Sequence, residues 1–212
     1  MPLADYTPSF ARYGSSMAAP KRPATDTRRT RSRQTIIAAT SRVLADKGLN
    51  LMTVEDILQE AGVARATFYS HFTDKNDATG AVVEQMFLRA EKLYASFHNI
   101  KAITPAEIST WLTDAYEQWR TYQSEVSSLV RDFANLFRGP QFSQLDSFAE
   151  ILVGTGDRFA CPRDTALLRA RLLIVQLERA MLDTVSGSWP VSRSELVAEL
   201  TPMWIDALTR PA

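Results

Sequence analysis

Two short helical segments that meet at Gly62 are the feature that most constrains the fold of this chain. The run Thr53-Val-Glu-Asp56 has the pattern of a helix N-terminus, in which a hydroxyl and a later acidic side chain cap backbone N–H groups. Glycine then takes the left-handed turn with little strain. A second short helix is predicted from about Ala64 to Ser70, with Phe68 turned inward. This arrangement predicts a helix-turn-helix, whose second helix can enter the major groove of DNA.

The rest of the chain carries helix signals and no sustained period-2 alternation, so we predict an all-α fold of about nine helices. A first helix starts near Asp26 and ends at Gly48, which has the place of a C-terminal glycine. After the helix-turn-helix, the apolar spacing and the capping residues predict further helices over about 74–97, 105–123, 125–138, 143–159, 163–185 and 193–209. This pattern is typical of a three-helix DNA-binding domain followed by a larger helical body.

Charge is distributed unevenly along a chain whose net charge is zero. Residues 20–48 hold eight Lys and Arg against two Asp, whereas residues 76–212 hold 13 basic and 17 acidic residues. We therefore divide the chain into a disordered basic arm (1–25), a DNA-binding domain (26–75) and a helical body (76–212). A basic block on an acidic body favours binding of a polyanion by the N-terminal part, although a solvated tail would give the same charge pattern.

Composition excludes several classes of protein. The chain has 212 residues, 45% of them hydrophobic, which is ordinary for a globular protein and long enough to bury a core. Its single cysteine, Cys161, excludes an internal disulfide and a cysteine-based zinc site. The most apolar helix, 166–185, carries five charged residues, which argues against a membrane span. We expect a cytoplasmic protein that needs no cofactor and no metal.

The second short helix carries the side chains that we expect to bind DNA. Arg65 can pair with guanine O6 and N7, while Ala66 or the methyl group of Thr67 can contact thymine. Tyr69, His71 and Lys75 suit phosphate oxygens, and Thr53 at a helix N-terminus can offer its hydroxyl and nearby backbone N–H groups to another phosphate. The other expected DNA-binding residues are Ser70, and Arg28 and Arg31 in the basic block. Each of these residues taken alone is more often a solvated surface group, but together they form an ordered set within about 50 residues.

The segment from about residue 26 to residue 90 resembles the TetR family of bacterial transcription regulators. The resemblance rests on Arg33-Gln-Thr-Ile-Ile-Ala-Ala, Thr53-Val-Glu-Asp-Ile, Ala61-Gly-Val and, above all, Thr67-Phe-Tyr-Ser-His-Phe-Thr-Asp-Lys75. Asn76 and Asp77 depart from the family's habit of placing an apolar residue or glycine shortly after this lysine. The arrangement of the C-terminal body has a fainter resemblance to the mycobacterial ethionamide-response repressor branch.

The resemblance implies a function for both domains. The DNA-contacting positions of the family fall on Arg65, Ala66, Thr67, Tyr69, Ser70, His71 and Lys75. It also implies a repressor that binds a palindromic double-stranded DNA operator as a homodimer, with one or two dimers per operator. A small-molecule effector would release it from the DNA, and the last two helices would form most of the dimer interface.

The C-terminal body offers an aromatic set that could line an effector pocket. Its members are Trp111, Trp119, Tyr122, Phe133, Phe137 and Trp204, with Gln176 as one of few polar neighbours. This composition predicts a largely apolar ligand that makes few hydrogen bonds. The alternative is that these aromatics simply fill a solid core.

Two other functions compete with DNA-binding regulation. An enzyme would need groups placed for proton transfer, nucleophilic attack or metal binding, but His71 and His98 are the only histidines and no phosphate-binding or nucleophile motif is present. An all-α interaction protein, or a regulator without a small-molecule ligand, remains the alternative. The basic block and the polar second helix argue against a protein that has lost DNA binding.

Overall fold

A computed structural model describes residues 24–121, 142–155 and 158–211. Within these ranges the chain forms eight α-helices and no strand. They are α1 (Ala24–Leu51), α2 (Val54–Ala61), α3 (Arg65–Tyr69), α4 (Lys75–Ser96), α5 (Pro105–Thr121), α6 (Phe142–Val153), α7 (Arg163–Val185) and α8 (Arg193–Thr209). The predicted helix over 125–138 lies outside the described residues. The all-α prediction is confirmed.

The helix ends follow local capping. Thr53 and Asp56 form the predicted capping box at the start of α2, and Ser192 and Glu195 form a second one at the start of α8. The first helix is broken at Gly48, where φ is 73°, at the position where the sequence predicted its end. Helix α3 is shorter than predicted.

One predicted helix boundary is wrong. The sequence predicted a helix from residue 143 to residue 159, but α6 ends at Val153 because Gly154 takes a left-handed φ of 61°. The Gly154 N–H still bonds to the carbonyl of Glu150, which closes the last turn.

The chain forms two compact units. The first contains the described residues 24–43 together with Met52–Val83. Its buried side chains come from α1, α2, α3 and the start of α4, and the list is Ile36, Ile37, Val43, Met52, Ile57, Phe68, Phe72 and Val82. Burial of this apolar set stabilises α2 and α3, two short helices that would be marginal in isolation.

The second unit contains Leu44–Leu51 and the chain from Glu84 onward. Here α6 packs on α7 and α5 packs on α8, while α7 also contacts α5 and α8. The core of the unit contains Trp111, Leu112, Phe148, Leu177 and Trp204. None of the described helices is long and apolar enough to cross a membrane.

Candidate DNA-binding surface

The start of α2 is fixed by a reciprocal cap. The Thr53 hydroxyl oxygen accepts the N–H of Asp56 at 3.2 Å, and the Asp56 carboxylate accepts both the N–H of Thr53 at 2.9 Å and its O–H at 2.8 Å. Of the two donors that the sequence suggested for a phosphate at this position, the hydroxyl and the backbone N–H groups of the first turn, the hydroxyl is therefore occupied within the helix.

Gly62 makes the turn between α2 and α3. Its φ of 63° and ψ of 34° are left-handed, and its N–H donates to the carbonyl of Leu58. An added Cβ would meet no atom within 4 Å, so the backbone conformation alone requires glycine here. This turn directs α3 away from the line of α2, as a helix-turn-helix requires.

Helix α3 has one buried and one exposed side. Phe68 is fully buried, with its ring centroid 5.8 Å from that of Phe72 and in edge contact with Tyr69 at 5.3 Å. The exposed side carries Arg65, Ala66, Tyr69 and Ser70, with Thr67 half-buried. The Phe68 anchor thus presents the predicted base-contacting residues to solvent on a rigid support.

Arg65 is held by a partner that the sequence analysis missed. Its Nη2 donates to the Glu55 carboxylate, which lies in the first turn of α2. Both side chains are exposed, Arg65 to 59% and Glu55 to 62%. The two residues stand ten positions apart, so only the angle between the helices brings them together.

His71 joins the end of α3 to α1. Its Nε2 lies 2.8 Å from the Ser32 hydroxyl oxygen, and the Ser32 O–H donates to the carbonyl of Arg29 at 3.0 Å. The Ser32 hydroxyl has one proton, which it donates either to the Arg29 carbonyl or to His71 Nε2, and the tautomer of His71 decides which. Burial lowers the pKa of His71, and Arg29 and Arg33 lower it further, so the ring is neutral near pH 7. Sequence spacing gave no sign of this contact.

Lys75 begins α4 and reaches back to α2. Its ammonium donates to the carbonyl of Met52 at 2.8 Å, beside the cap of α2. The lysine therefore ties together the two helix starts, in addition to any role in binding phosphate. Nearby, the Arg33 guanidinium lies 5.1 Å from the ring centroid of Phe72, which anchors α1 to the same unit.

Arg28 and Arg31 lie on exposed turns of α1. Together with Arg29, they place several positive charges on the helix that contacts His71 through Ser32. The structure thus joins α1, α2, α3 and the start of α4 in one unit that carries every predicted DNA-binding residue. Its chemistry is that of a basic, hydrogen-bonding surface suited to phosphate and to base edges.

The predicted effector residues fall into three groups. Trp111 and Trp204 are buried with ring centroids 5.0 Å apart, both against Phe97, and Trp119 packs on this core from a half-buried position. Gln176 donates to the sulfur of exposed Met203, so it lies on a partly exposed face of α7 and α8. The remaining three, Tyr122, Phe133 and Phe137, lie outside the described residues.

The second unit also has an open groove of about 450 Å³ between the start of α5 and α8. Its lining residues are Pro105, Ala106, Ser109, Ala198, Thr201, Pro202 and Ile205. None of the predicted pocket residues that the structure describes is among them. The indole N–H of Trp204 is buried and has no hydrogen-bond partner within the described part of the chain.

Comparison with known proteins points to regulators. Residues 36–78 match the model of the bacterial regulatory proteins of the tetR family. The chain is 25% identical over 186 residues to the HTH-type transcriptional regulator EthR of Mycolicibacterium smegmatis, covering 82% of this chain and 84% of that protein. It is 37% identical over 51 residues to the uncharacterized HTH-type transcriptional regulator YvdT of Bacillus subtilis, covering 24% of this chain and 26% of that protein.

Solved structures share the fold at lower identity. The fatty acid degradation regulator FadR of Bacillus halodurans aligns with a TM-score of 0.61 at 15% identity, covering 89% of this chain and 98% of that one. A putative TetR-family regulator of Mesorhizobium loti aligns with a TM-score of 0.59 at 20% identity, covering 85% of this chain and 96% of that one.

Proposed function

We propose that this chain is a TetR-family transcriptional regulator with a helix-turn-helix DNA-binding domain, and not an enzyme. It represses transcription by binding a palindromic operator as a homodimer. A small, mostly apolar molecule then releases it from the DNA. The observation that carries the proposal is the two-sided α3, whose buried Phe68 supports an exposed row of polar side chains.

The roles of the DNA-binding residues follow from their places. Arg65, Ala66 and Thr67 at the start of α3 contact base edges, because the N-terminal residues of a recognition helix enter the groove first. The positioning contacts to phosphate come from Thr53, Tyr69, Ser70, His71, Lys75, Arg28 and Arg31. His71 bonds to Ser32 through Nε2, which leaves Nδ1 as the ring nitrogen that can bind a phosphate.

An exposed apolar stripe supports the dimer. Leu168, Leu172 and Val175 stand on one face of α7 at helical spacing and are 54%, 62% and 52% exposed, and Met203 on α8 is 51% exposed. Large apolar side chains at such spacing are typical of an interface, and the same patch on two copies is self-complementary about a two-fold axis. A dimer places two copies of α3 about 34–36 Å apart, one turn of DNA.

The indole N–H of Trp204, which has no partner among the described residues, supports the effector proposal. A buried N–H without a partner costs about 1–3 kcal/mol, so a ligand with one acceptor on an apolar body gains that energy by binding beside it. The alternative is a solid core of Trp111, Trp204 and Phe97, in a regulator without a small-molecule ligand.

DNA binding is tested with two variants, one expected to change base preference and the other expected to weaken binding to any sequence. Selection from random double-stranded DNA first identifies the operator. Arg65→Ala should then relax base preference and cost about 1–3 kcal/mol on that operator. Lys75→Ala should weaken operator and random DNA alike and reduce the salt slope by about one. It should also lower the melting temperature, because the bond to the Met52 carbonyl is lost.

The two variants control for each other. If Lys75→Ala changed base preference while Arg65→Ala left it intact, the assignment of roles would be reversed. If the wild-type protein selected no sequence and showed no salt-dependent binding, the interaction-protein alternative would replace the proposal.

A further inference from the structure

We propose that Glu55 is a positioning residue that fixes the Arg65 guanidinium for one base and keeps it off phosphates, so that Glu55 sets sequence specificity without touching DNA. The inference rests on the proposed DNA-binding function. It concerns a residue that lies in α2, outside the helix that enters the groove.

The contact itself is the first step. Arg65 Nη2 donates to Glu55 Oε1, from the first turn of α3 to the first turn of α2. Both residues belong to the same compact unit. An arginine side chain has five N–H donors in a rigid fork, so the bond at Nη2 leaves donors for guanine O6 and N7.

The second step concerns conformational freedom. An exposed arginine side chain has several rotatable bonds, and its ordering opposes bidentate binding to a base. Arg65 is 59% exposed, so packing does little to order it. The Glu55 carboxylate supplies that order before the DNA arrives, and the cost of fixing the guanidinium is largely met in the free protein.

The third step concerns charge. Glu55 is 62% exposed beside the predicted base-contacting residues. An acidic group there repels phosphate oxygens and neutralises part of the Arg65 charge, and so lowers the affinity for DNA of any sequence. Specificity is the difference between two affinities, so weakening the non-specific one raises it.

The chain offers a matched control pair. Arg42 on α1 and Glu60 on α2 also form an exposed ion pair between two helices of the same unit, with Arg42 59% and Glu60 41% exposed. Neither residue is among the proposed DNA contacts. Glu60→Ala therefore removes the same charge from the same helix without disturbing Arg65.

The experiment compares Glu55→Ala with Glu60→Ala in the full-length chain. Affinity is measured for the selected operator, for variants of it changed at each guanine, and for random DNA. For Glu55→Ala we expect discrimination at the guanine read by Arg65 to fall roughly five- to tenfold. Affinity for random DNA should stay equal or rise by up to about threefold. Glu60→Ala should leave discrimination within about twofold of wild type.

A double-variant cycle tests whether Glu55 acts through Arg65. In an Arg65→Ala background, Glu55→Ala should have no further effect on discrimination. The inference is overturned if Glu55→Ala weakens operator and random DNA equally, if Glu60→Ala acts as strongly, or if the effect persists without Arg65. A wild-type protein that selects no DNA sequence would overturn the proposed function itself, which is a separate and earlier result.

Discussion

At the residue scale, Gly154 has a much tighter steric requirement than Gly187. An added Cβ would lie 2.5 Å from Cε1 of His98, and that ring is fixed because its Nε2–H donates to the carbonyl of Ile151 at 2.6 Å. The φ of 61° adds strain for any residue with a side chain. This glycine therefore both ends α6 and makes room for His98, which the sequence analysis treated only as one of two histidines.

We expect Gly154→Ala to destabilise the protein by about 2–4 kcal/mol, from backbone strain and the clash together. Gly187→Ala is the control, since Gly187 has a φ of 74° but no atom within 4 Å of an added Cβ. It should cost only about 1–2 kcal/mol. Denaturant unfolding of both variants measures the difference, and equal losses would show that the His98 ring moves aside freely.

The second residue-scale feature is the pairing of Tyr94 with Glu178. The Tyr94 O–H donates to the Glu178 carboxylate at 3.0 Å, across 84 residues of sequence. Burial raises the pKa of Glu178 from 4.5 to about 7, although the bond from Tyr94 opposes that rise. The folded protein therefore keeps the Glu178 carboxyl group protonated at pH values where the unfolded chain has released that proton.

This raised pKa gives a stability profile of definite sign. The contribution of Glu178 to stability is fully present below pH 4.5, falls as pH rises from about 4.5 to about 7, and is constant above that. We expect Glu178→Gln to be more stable than wild type by about 1–3 kcal/mol at pH 8 and nearly equal at pH 4.5. Thermal unfolding at the two pH values checks this, and a difference that is the same at both would contradict it.

At the element scale, the short helices of the first unit are held in place by contacts with their neighbours. Helix α3 has five residues and α2 has eight, too few for either to be stable alone. Three side-chain contacts hold them: Arg65 to Glu55, His71 to Ser32, and Lys75 to the Met52 carbonyl. Each contact joins two helices, so the orientation of α3 depends on the whole unit.

A substitution on helix α7 tests the proposed dimer interface. Leu172→Asp places a charge in the middle of the exposed apolar stripe, where the proposed dimer would bury it without a partner. We expect a monomer at micromolar concentration and at least about tenfold weaker operator binding. Leu88→Asp on α4, where Leu88 is 48% exposed, should leave the dimer intact. Analytical ultracentrifugation decides, and a dimeric Leu172→Asp protein would place the interface elsewhere.

At the scale of the whole molecule, two helices have residues in both units: α1, which is divided between Val43 and Leu44, and α4. Helix α4 runs without interruption from Lys75 to Ser96, and the boundary between the units falls between Val83 and Glu84. Helix α4 starts at a proposed phosphate contact, and Tyr94 near its end bonds to Glu178. It is therefore the candidate for transmitting effector binding, provided that the ligand prefers one of two conformers.

Effector release can be observed directly. Compounds from an apolar library should change tryptophan fluorescence, and those that do should lower the anisotropy of a labelled operator bound to the protein. Trp204→Phe, which removes the indole N–H, should weaken the response to compounds with an acceptor by about tenfold. A library in which no compound alters fluorescence or melting temperature would leave a DNA-binding regulator without an effector.

The sequence by itself determined the features that depend on neighbours along the chain. The capping boxes at Thr53 and Ser192, the turn at Gly62 and the all-α composition were predictable, because a cap joins residues only three positions apart. The family was also recognisable, because its motif is continuous from Thr67 to Lys75.

Only the tertiary structure decided which distant side chains meet. Arg65 finds Glu55 and His71 finds Ser32 because the crossing of helices places them together, and crossing angles are set by packing, which sequence spacing does not contain. The requirement for glycine at 154 has the same origin, since the His98 ring occupies the space where a Cβ would lie. Packing likewise placed Trp111 and Trp204 in one core, while Gln176 is half-buried and bonds to the exposed Met203.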